Sequence, residues 1–405
     1  MEFSFSDHHL LIRDTVREFM QTEVRPHVKD WERSDHFPLD AIRKLGTLGC
    51  CGMLLPEEWG GPGLDAISYV LMLEEVAKVH AAMATAISVT NSAVQTPLLV
   101  YATDEQRSRY LRRLASCEIL GAFCLTEPAA GSDAAGIQAT ATKVCSPHVT
   151  YTLNGTKTWV TNGSAAGLYI VFAKTDPAAG GKGITAFLLE PNSPGLKIGR
   201  HEDKMGQRSS PSVELILDNC VVPASARLGE EGQGLKIALS ALDNGRIGIA
   251  ALAVGLAQGA LDESVKYARA RRAFGKSIGE FQAIQWMLAD MHTELEAARA
   301  LVYNAACLKD SSGAPPSVLE GGSSFTSSHT EHGSAAMSSA SSRAKLYATE
   351  MANRVVSKAV QIHGSLGYSR ESEVERMYRD ARVLTIYEGT SEIQRTIIAR
   401  NLLRS

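Results

Sequence analysis

The chain has 405 residues, 44% of them hydrophobic, and its 41 basic and 44 acidic side chains leave a net charge of −3. That length allows roughly two or three domains, and charges of both signs mixed along it leave no electrostatic footprint for nucleic acid or for an anionic membrane surface. Cys50, Cys51, Cys117, Cys124, Cys145, Cys220 and Cys307 include no C-x-x-C pair and no metal spacing, and they read as mostly buried thiols in a reducing compartment.

The opening stretch, Met1 to His9, has neither the basic start and apolar run of a secretion signal nor an Arg-rich amphipathic pattern. No window approaches the ~18 apolar residues of a membrane span. The expectation is a cytoplasmic protein, or one of the mitochondrial matrix had a transit peptide been removed.

From residue 1 to about 120 the period is helical, through Leu11, Val16, Phe19, Met20 and Val24, then Leu73, Val76 and Val79, with a break at Gly60-Gly61-Pro62-Gly63. Between 121 and 231 short apolar runs replace it: Tyr151 to Leu153, Trp159 to Thr161, Leu168 to Ala173, Ile184 to Leu189 and Val213 to Ile216. Asn154-Gly155 and Gly180-Gly181 read as turns between them, the pattern of an antiparallel β domain, barrel or sandwich. From 232 to 405 the helical period returns. One stripe runs through Ile284, Leu288, Met291, Leu295, Ala298, Val302 and Ala305, and a second through Ala344, Ala348, Met351, Val355, Ala359 and Ile362. Together they predict long helices packed side by side as a bundle. Between the stripes, residues 311–342 hold twelve serines in thirty-two positions and read as a disordered or mobile insertion. His329-Thr330-Glu331-His332 within it reads as solvated rather than metal-binding, so no metal is expected.

Several familiar sites are excluded. Gly275-Lys276-Ser277 lacks the upstream glycine of a phosphate-binding loop, since position 270 is Ala270. Gly275 to Gly279 fits the hydrolase nucleophile motif but is flanked by helical segments instead of following a strand. No G-x-G-x-x-G follows a strand.

What remains is small and polar. Phe123 to Asp133 clusters hydroxyls and small residues around a turn, as a loop would that approaches a flat polar ring, although many such loops only turn. Trp159-Val160-Thr161-Asn162-Gly163 offers an aromatic face, a hydroxyl and an amide, though a core tryptophan is the more frequent reason for such a residue. In Tyr387-Glu388-Gly389-Thr390-Ser391-Glu392-Ile393-Gln394, apolar neighbours around Glu388 would raise its pKa toward that of a general base. Alternatively, the segment is a turn with Ser391 and Gln394 as a capping box.

Taken in order, Leu125-Thr126-Glu127-Pro128 with Gly131-Ser132-Asp133, Trp159-Val160-Thr161-Asn162, Met205-Gly206-Gln207-Arg208, Asp243-Asn244-Gly245-Arg246, Arg271 to Lys276, Gln361-Ile362-His363-Gly364 and Tyr387-Glu388-Gly389-Thr390 resemble the acyl-CoA dehydrogenase family over nearly the whole chain, nearest to its short-chain and short-branched-chain (butyryl-CoA dehydrogenase-like) members. The resemblance implies an N-terminal helical domain, a middle β domain and a C-terminal four-helix bundle, with FAD held between the last two. It implies flavin contacts from Phe123, Cys124, Leu125, Thr126, Ser132, Trp159, Val160, Thr161, Thr390 and Glu392. Arg271, Phe274 and Gln282 would reach the FAD of a neighbouring subunit, with Gln361, Gly364 and Ser365 on its pyrophosphate and adenosine side.

By the same resemblance, Glu388 removes the α-proton of an acyl-CoA thioester while a β-hydride passes to flavin N5, giving a trans-2-enoyl-CoA. The backbone N–H of Glu388 and a ribityl hydroxyl would hold the thioester oxygen. Ser132, Asp243, Arg246, Gly389 and Arg400 match substrate-side positions. The partners implied are an acyl-CoA, an electron-transfer flavoprotein and three further copies in a homotetramer. Ala129 departs from a common glycine, and the serine-rich tract is not a usual family feature. Medium-chain specificity, a flavin monooxygenase of the same fold and a non-catalytic CoA-binding scaffold are the alternatives.

Overall fold

The protein is described from a computed structural model, which covers residues 5–146, 148–311 and 327–404. Seven helices come first: α1 (Asp7–Phe19), α2 (Val28–Ser34), α3 (Leu39–Thr47), α4 (Ala66–Val79), α5 (Ala81–Ser88), α6 (Thr96–Tyr101) and α7 (Asp104–Ala115). Side chains set their starts, as Asp65 Oδ1 accepts from Ser68 N ahead of α4 and Thr103 forms a capping box with Gln106 ahead of α7. Val16, Met20, Val24, Leu73, Val76 and Val79 are buried as their spacing predicts, but Leu11 is 64% exposed and faces away from the core.

The middle of the chain forms β1 (Leu120–Cys124), β2 (Thr140–Val144), β3 (Thr150–Thr161), β4 (Ala166–Lys174), β5 (Ile184–Leu189), β6 (Leu196–His201), β7 (Ser212–Pro223) and β8 (Arg227–Leu228) in one sheet. The order is β6-β7-β3-β2-β4-β5-β8, with β1 also beside β4. Most neighbours are antiparallel, but β4 runs parallel to both β1 and β2, a departure from the wholly antiparallel pattern read from the sequence. Asn154-Gly155 is not a turn either. It lies inside β3, where the pairing with β7 shifts register, so a dipeptide that usually ends a strand here makes a bulge.

The remainder is α8 (Gly234–Ala270), a short hairpin of β9 (Arg272–Ala273) and β10 (Lys276–Ser277), then α9 (Gln282–Ser311), α10 (Ser327–His363), α11 (Glu373–Arg382) and α12 (Ser391–Arg404). In the predicted stripes Met291, Leu295, Ala298, Val302 and Ala305 of α9 and Ala344 through Ile362 of α10 are buried, with Ile284 and Leu288 partly so. Helix α8 packs against α4 so closely that a β-carbon on Gly255 would lie 2.2 Å from the Glu74 carbonyl oxygen. Contrary to the sequence expectation, α8 has the length and mean hydropathy, 1.4, of a membrane span, yet 72% of that window is buried inside the fold. It is the central core helix.

Two further expectations are corrected. The serine-rich tract 311–342 is not one disordered connection, because residues 327–342 begin α10. Residues 312–326 and the side chains of His329-Thr330-Glu331-His332 lie outside the described residues, among which no metal-binding cluster occurs. The cysteines are not all thiols: Cys51 and Cys117 form a disulfide across 66 residues, while Cys50, Cys124 and Cys220 are buried thiols and Cys145 and Cys307 are exposed.

Candidate active site

Glu388 sits in the turn between α11 and α12 with φ 51°, followed by Gly389 at φ 91°. A left-handed glutamate is uncommon and stores strain that its surroundings must hold. Those surroundings are well defined. Gln394 Nε2 donates to the Glu388 and Gly389 carbonyl oxygens at 3.3 and 3.0 Å, and Lys345 Nζ donates to Gly389 O at 2.7 Å. Helix α12 is capped by Thr390, whose hydroxyl accepts from Ile393 N. The alternative Ser391–Gln394 capping box is therefore absent, Gln394 having turned back onto the Glu388–Gly389 carbonyls and the Ser391 hydroxyl being buried without a partner.

The Glu388 residue keeps some surface open, but Oε2 is enclosed and makes no hydrogen bond. Burial pushes its pKa up to about 7, against the lowering pull of Lys345 and Arg246. Among the described residues none accepts the Glu388 backbone N–H. Beside it on α8, Arg246 is 4% exposed and pairs with Asp243, which also accepts from Ser338 Oγ at 3.2 Å. Burial dominates both, raising the Asp243 pKa and lowering that of Arg246. Ser338 belongs to the serine-rich tract, so that tract reaches the Asp243–Arg246 pair.

A polar chain ties the turn to the sheet. Tyr387 OH lies 3.2 Å from Thr85 Oγ1, which donates to Gln207 Oε1 at 2.8 Å. Gln207 N donates to Asp380, itself paired with Arg376 at 3.0 Å. From the sheet side, Asn162 Nδ2 donates to Ala86 O and Gly121 O at 3.0 and 3.1 Å. Trp159 is not in the core: it is 58% exposed at φ 59°, next to a register shift between Lys157 and Val160. Thr126 O accepts from Thr158 N at 2.9 Å, which brings the Phe123-to-Thr126 segment beside it. Cys124 and Val160 turn their side chains into the sheet core, and their backbones pair with Val171 of β4 and Val213 of β7. Ser132 is exposed.

The other predicted residues gather elsewhere. Arg271, Phe274 and Gln282 are exposed around the β9–β10 hairpin, and Arg271 lies 25 residues along α8 from Arg246, about 37 Å at helical rise. Gln361, Gly364 and Ser365 are exposed at the end of α10, where His363 stacks on Tyr267 of α8 at 4.3 Å. They therefore lie near the hairpin and not near Glu388. Glu392 is exposed on the first turn of α12, whereas Arg400 is exposed nine residues beyond Ser391, about 13 Å along the helix, so Arg400 is not brought to the base.

Sequence reasoning missed Lys345, Thr85, and the fully buried Lys157 with its partner Glu127 at 2.6 Å. A signal for Lys345 existed: Ser338, Ser341, Ser342, Lys345 and Thr349 follow helical spacing, and the last four are 0% exposed.

A helical domain, a sheet and a long-helix bundle joined around the Glu388 turn, together with matches to acyl-CoA dehydrogenase domains over nearly the whole chain, place the protein among the acyl-CoA oxidoreductases. The chain belongs to the acyl-CoA dehydrogenase family: its N-terminal, middle and C-terminal domain profiles match residues 6–118, 122–220 and 232–403. A short-chain specific acyl-CoA dehydrogenase of Clostridium acetobutylicum is 39% identical over 100% of both chains. The caffeyl-CoA reductase–Etf complex subunit CarC of Acetobacterium woodii is 41% identical over 99% of each. Among solved structures, butyryl-CoA dehydrogenase from Megasphaera elsdenii superposes with TM-score 0.92 at 41% identity over 100% of both chains. An acyl-CoA dehydrogenase from Bacillus anthracis complexed with FAD superposes with TM-score 0.90 at 35% identity, covering 99% of this chain and 69% of that one.

Proposed function

We propose that this protein removes the α-proton and β-hydride of a short acyl-CoA thioester, with Glu388 as base and FAD as cofactor, and passes the electrons to an electron-transfer flavoprotein. The observation that carries the reading is Glu388 itself, whose enclosed Oε2 has no partner and whose pKa stands near 7. A base poised there is ionised in part at neutral pH and strong enough to take a carbon-bound proton. The unpaired Glu388 N–H is available to the thioester oxygen as negative charge develops on it. Arg246 keeps a cation beside the base and is suited to orienting the CoA end.

The residues present fit FAD. Trp159 offers an uncovered aromatic face on the strand that also carries Thr161, its neighbour Thr158 is bonded through the backbone to Thr126, and the Thr158 hydroxyl is buried without a partner. When bound, FAD supplies the two-electron acceptor for the hydride that leaves the β-carbon. Arg271 supplies a fork of donors that matches a pyrophosphate, but in one chain it lies too far from Glu388 to serve the same cofactor. That separation supports a homotetramer in which each site draws on two subunits. So do Phe274, Trp286 and Tyr368, which are 95%, 61% and 87% exposed. The short-chain preference rests on the butyryl-CoA and short-chain relatives, and the electron-transfer partner on the Etf-complex relative.

The test is anaerobic mixing of the flavin-loaded protein with butyryl-, isobutyryl-, 2-methylbutyryl-, hexanoyl- and octanoyl-CoA while flavin absorbance is followed. Bleaching by the four- and five-carbon thioesters is expected. Bleaching by octanoyl-CoA alone would overturn the chain-length assignment, and a yellow protein bleached by none would overturn the dehydrogenase reading.

A further inference from the structure

The turn that carries Glu388 is held by a lysine that no motif singled out. Lys345 lies on α10, is 0% exposed, and donates to the carbonyl oxygen of Gly389 at 2.7 Å. Gln394 Nε2 reaches the same oxygen and that of Glu388. The carbonyls of Glu388 and of the residue after it are thus pinned, which fixes two residues in left-handed backbone. A buried ammonium without a counter-charge is costly, and the carboxylate that acts most strongly on Lys345 is that of Glu388. Resting on Glu388 as base, we infer that Lys345 is a positioning residue for the reaction, holding the 388–389 turn through Gly389 O and keeping the Glu388 carboxylate ionised through its charge.

The groups facing Glu388 come from each element packed on it. Lys345 projects from α10, Arg246 with its partner Asp243 from α8, and Tyr69 from α4, with Tyr387 adjacent in the chain. Burial pushes both phenols up, so they stay neutral near pH 7. Burial pulls Lys345 down to about 8 while Glu388, Glu392 and Glu350 pull it up, so it is still mostly cationic near pH 7, where Glu388 is about half ionised. Lys345 and Arg246 are the cations that favour the carboxylate, and Arg246 already shares its charge with Asp243.

The experiment is the pH dependence of flavin reduction by butyryl-CoA in wild type, Lys345→Met, Lys345→Gln and Glu388→Gln, with flavin content and butyryl-CoA binding measured on each. Lys345→Met should move the acid limb of the profile upward by about one pH unit or more, a loss of about tenfold at pH 6.5 that is regained as pH rises. Lys345→Gln keeps a donor toward Gly389 without the charge, so it should show the same shift with a higher plateau, and it stands in should the methionine variant not fold. Profiles of both lysine variants that overlay wild type, or a loss equal at every pH, would overturn the inference while Glu388→Gln remains inactive. Wild-type reduction by Glu388→Gln would instead remove the base assignment on which it rests.

Discussion

A β-carbon on Gly245 would stand 2.0 Å from Glu388 Oε2, so helix α8 and the base share a surface with no room for a methyl group. Gly245→Ala should push the carboxylate aside. A displacement of about 1 Å costs about 100-fold in rate, and a loss of that size is expected in flavin reduction by butyryl-CoA. Alanine favours a helix interior over glycine by about 1 kcal/mol, so the thermal midpoint should fall little. Stopped-flow reduction beside thermal unfolding checks both, and a variant at full rate would contradict this packing.

The raised pKa of Glu388 makes a stability prediction of definite sign. The folded value, about 7, stands above the ordinary 4.5, so the folded state binds the proton more tightly and this residue's destabilising effect is greatest above pH 7. It fades as pH falls toward 4.5. Glu388→Gln should therefore stabilise the fold at pH 8 by on the order of 3 kcal/mol and by almost nothing near pH 4.5, while dehydrogenation falls by several orders of magnitude. Denaturant titrations at the two pH values test it, and an equal gain at both would mean that the carboxylate is not desolvated.

The parts of this fold that follow a period were legible in the sequence. The α9 and α10 stripes are buried where the 3.6-residue spacing puts them, and Leu168 to Ala173 and Ile184 to Leu189 lie in paired strands. What failed was local inference from residue type. Asn154-Gly155 suits a hairpin turn, but pairing of β3 with β7 on both sides of it wins over that preference. Serine-rich composition masked the first turns of α10, where Ser341 and Ser342 are buried beside Ala340, although the apolar stripe from Ala344 onward was legible. The Cys51–Cys117 bridge joins positions 66 apart and leaves no local spacing signal. Glu388 was readable from its apolar neighbours, whereas Lys345 meets it only through tertiary packing.

Lys157 and Glu127 form an ion pair with side chains 0% and 5% exposed, and Glu127 also accepts from the backbone N–H groups of Gln138 and Ala139. Removing one partner strands the other charge in the sheet interior. Lys157→Met should cost about 3 kcal/mol or more, read as a lower urea midpoint with unchanged slope. A smaller loss would show that the two backbone donors alone suffice for Glu127.

Phe274 stands 95% exposed on its hairpin, edge-on to Phe281 at 6.0 Å. In an isolated chain Phe274→Ser would be nearly neutral, since a surface change of this kind is usually within about 0.5 kcal/mol. In a tetramer that covers the ring it should lower both assembly mass and retained flavin. Sedimentation and the flavin-to-protein absorbance ratio decide, and unchanged values for both would place the hairpin outside any interface.

The 25-residue interval of α8 between Arg246 and Arg271 has a consequence for how the protein behaves on dilution. In the assembly proposed above, a cofactor gripped by one chain's strand ends and another chain's hairpin would be a ligand of the assembled particle and not of the lone subunit. Its occupancy then follows mass action in the protein itself: dilute enzyme sheds flavin and subunits together, and added flavin drives the separated chains back into one another.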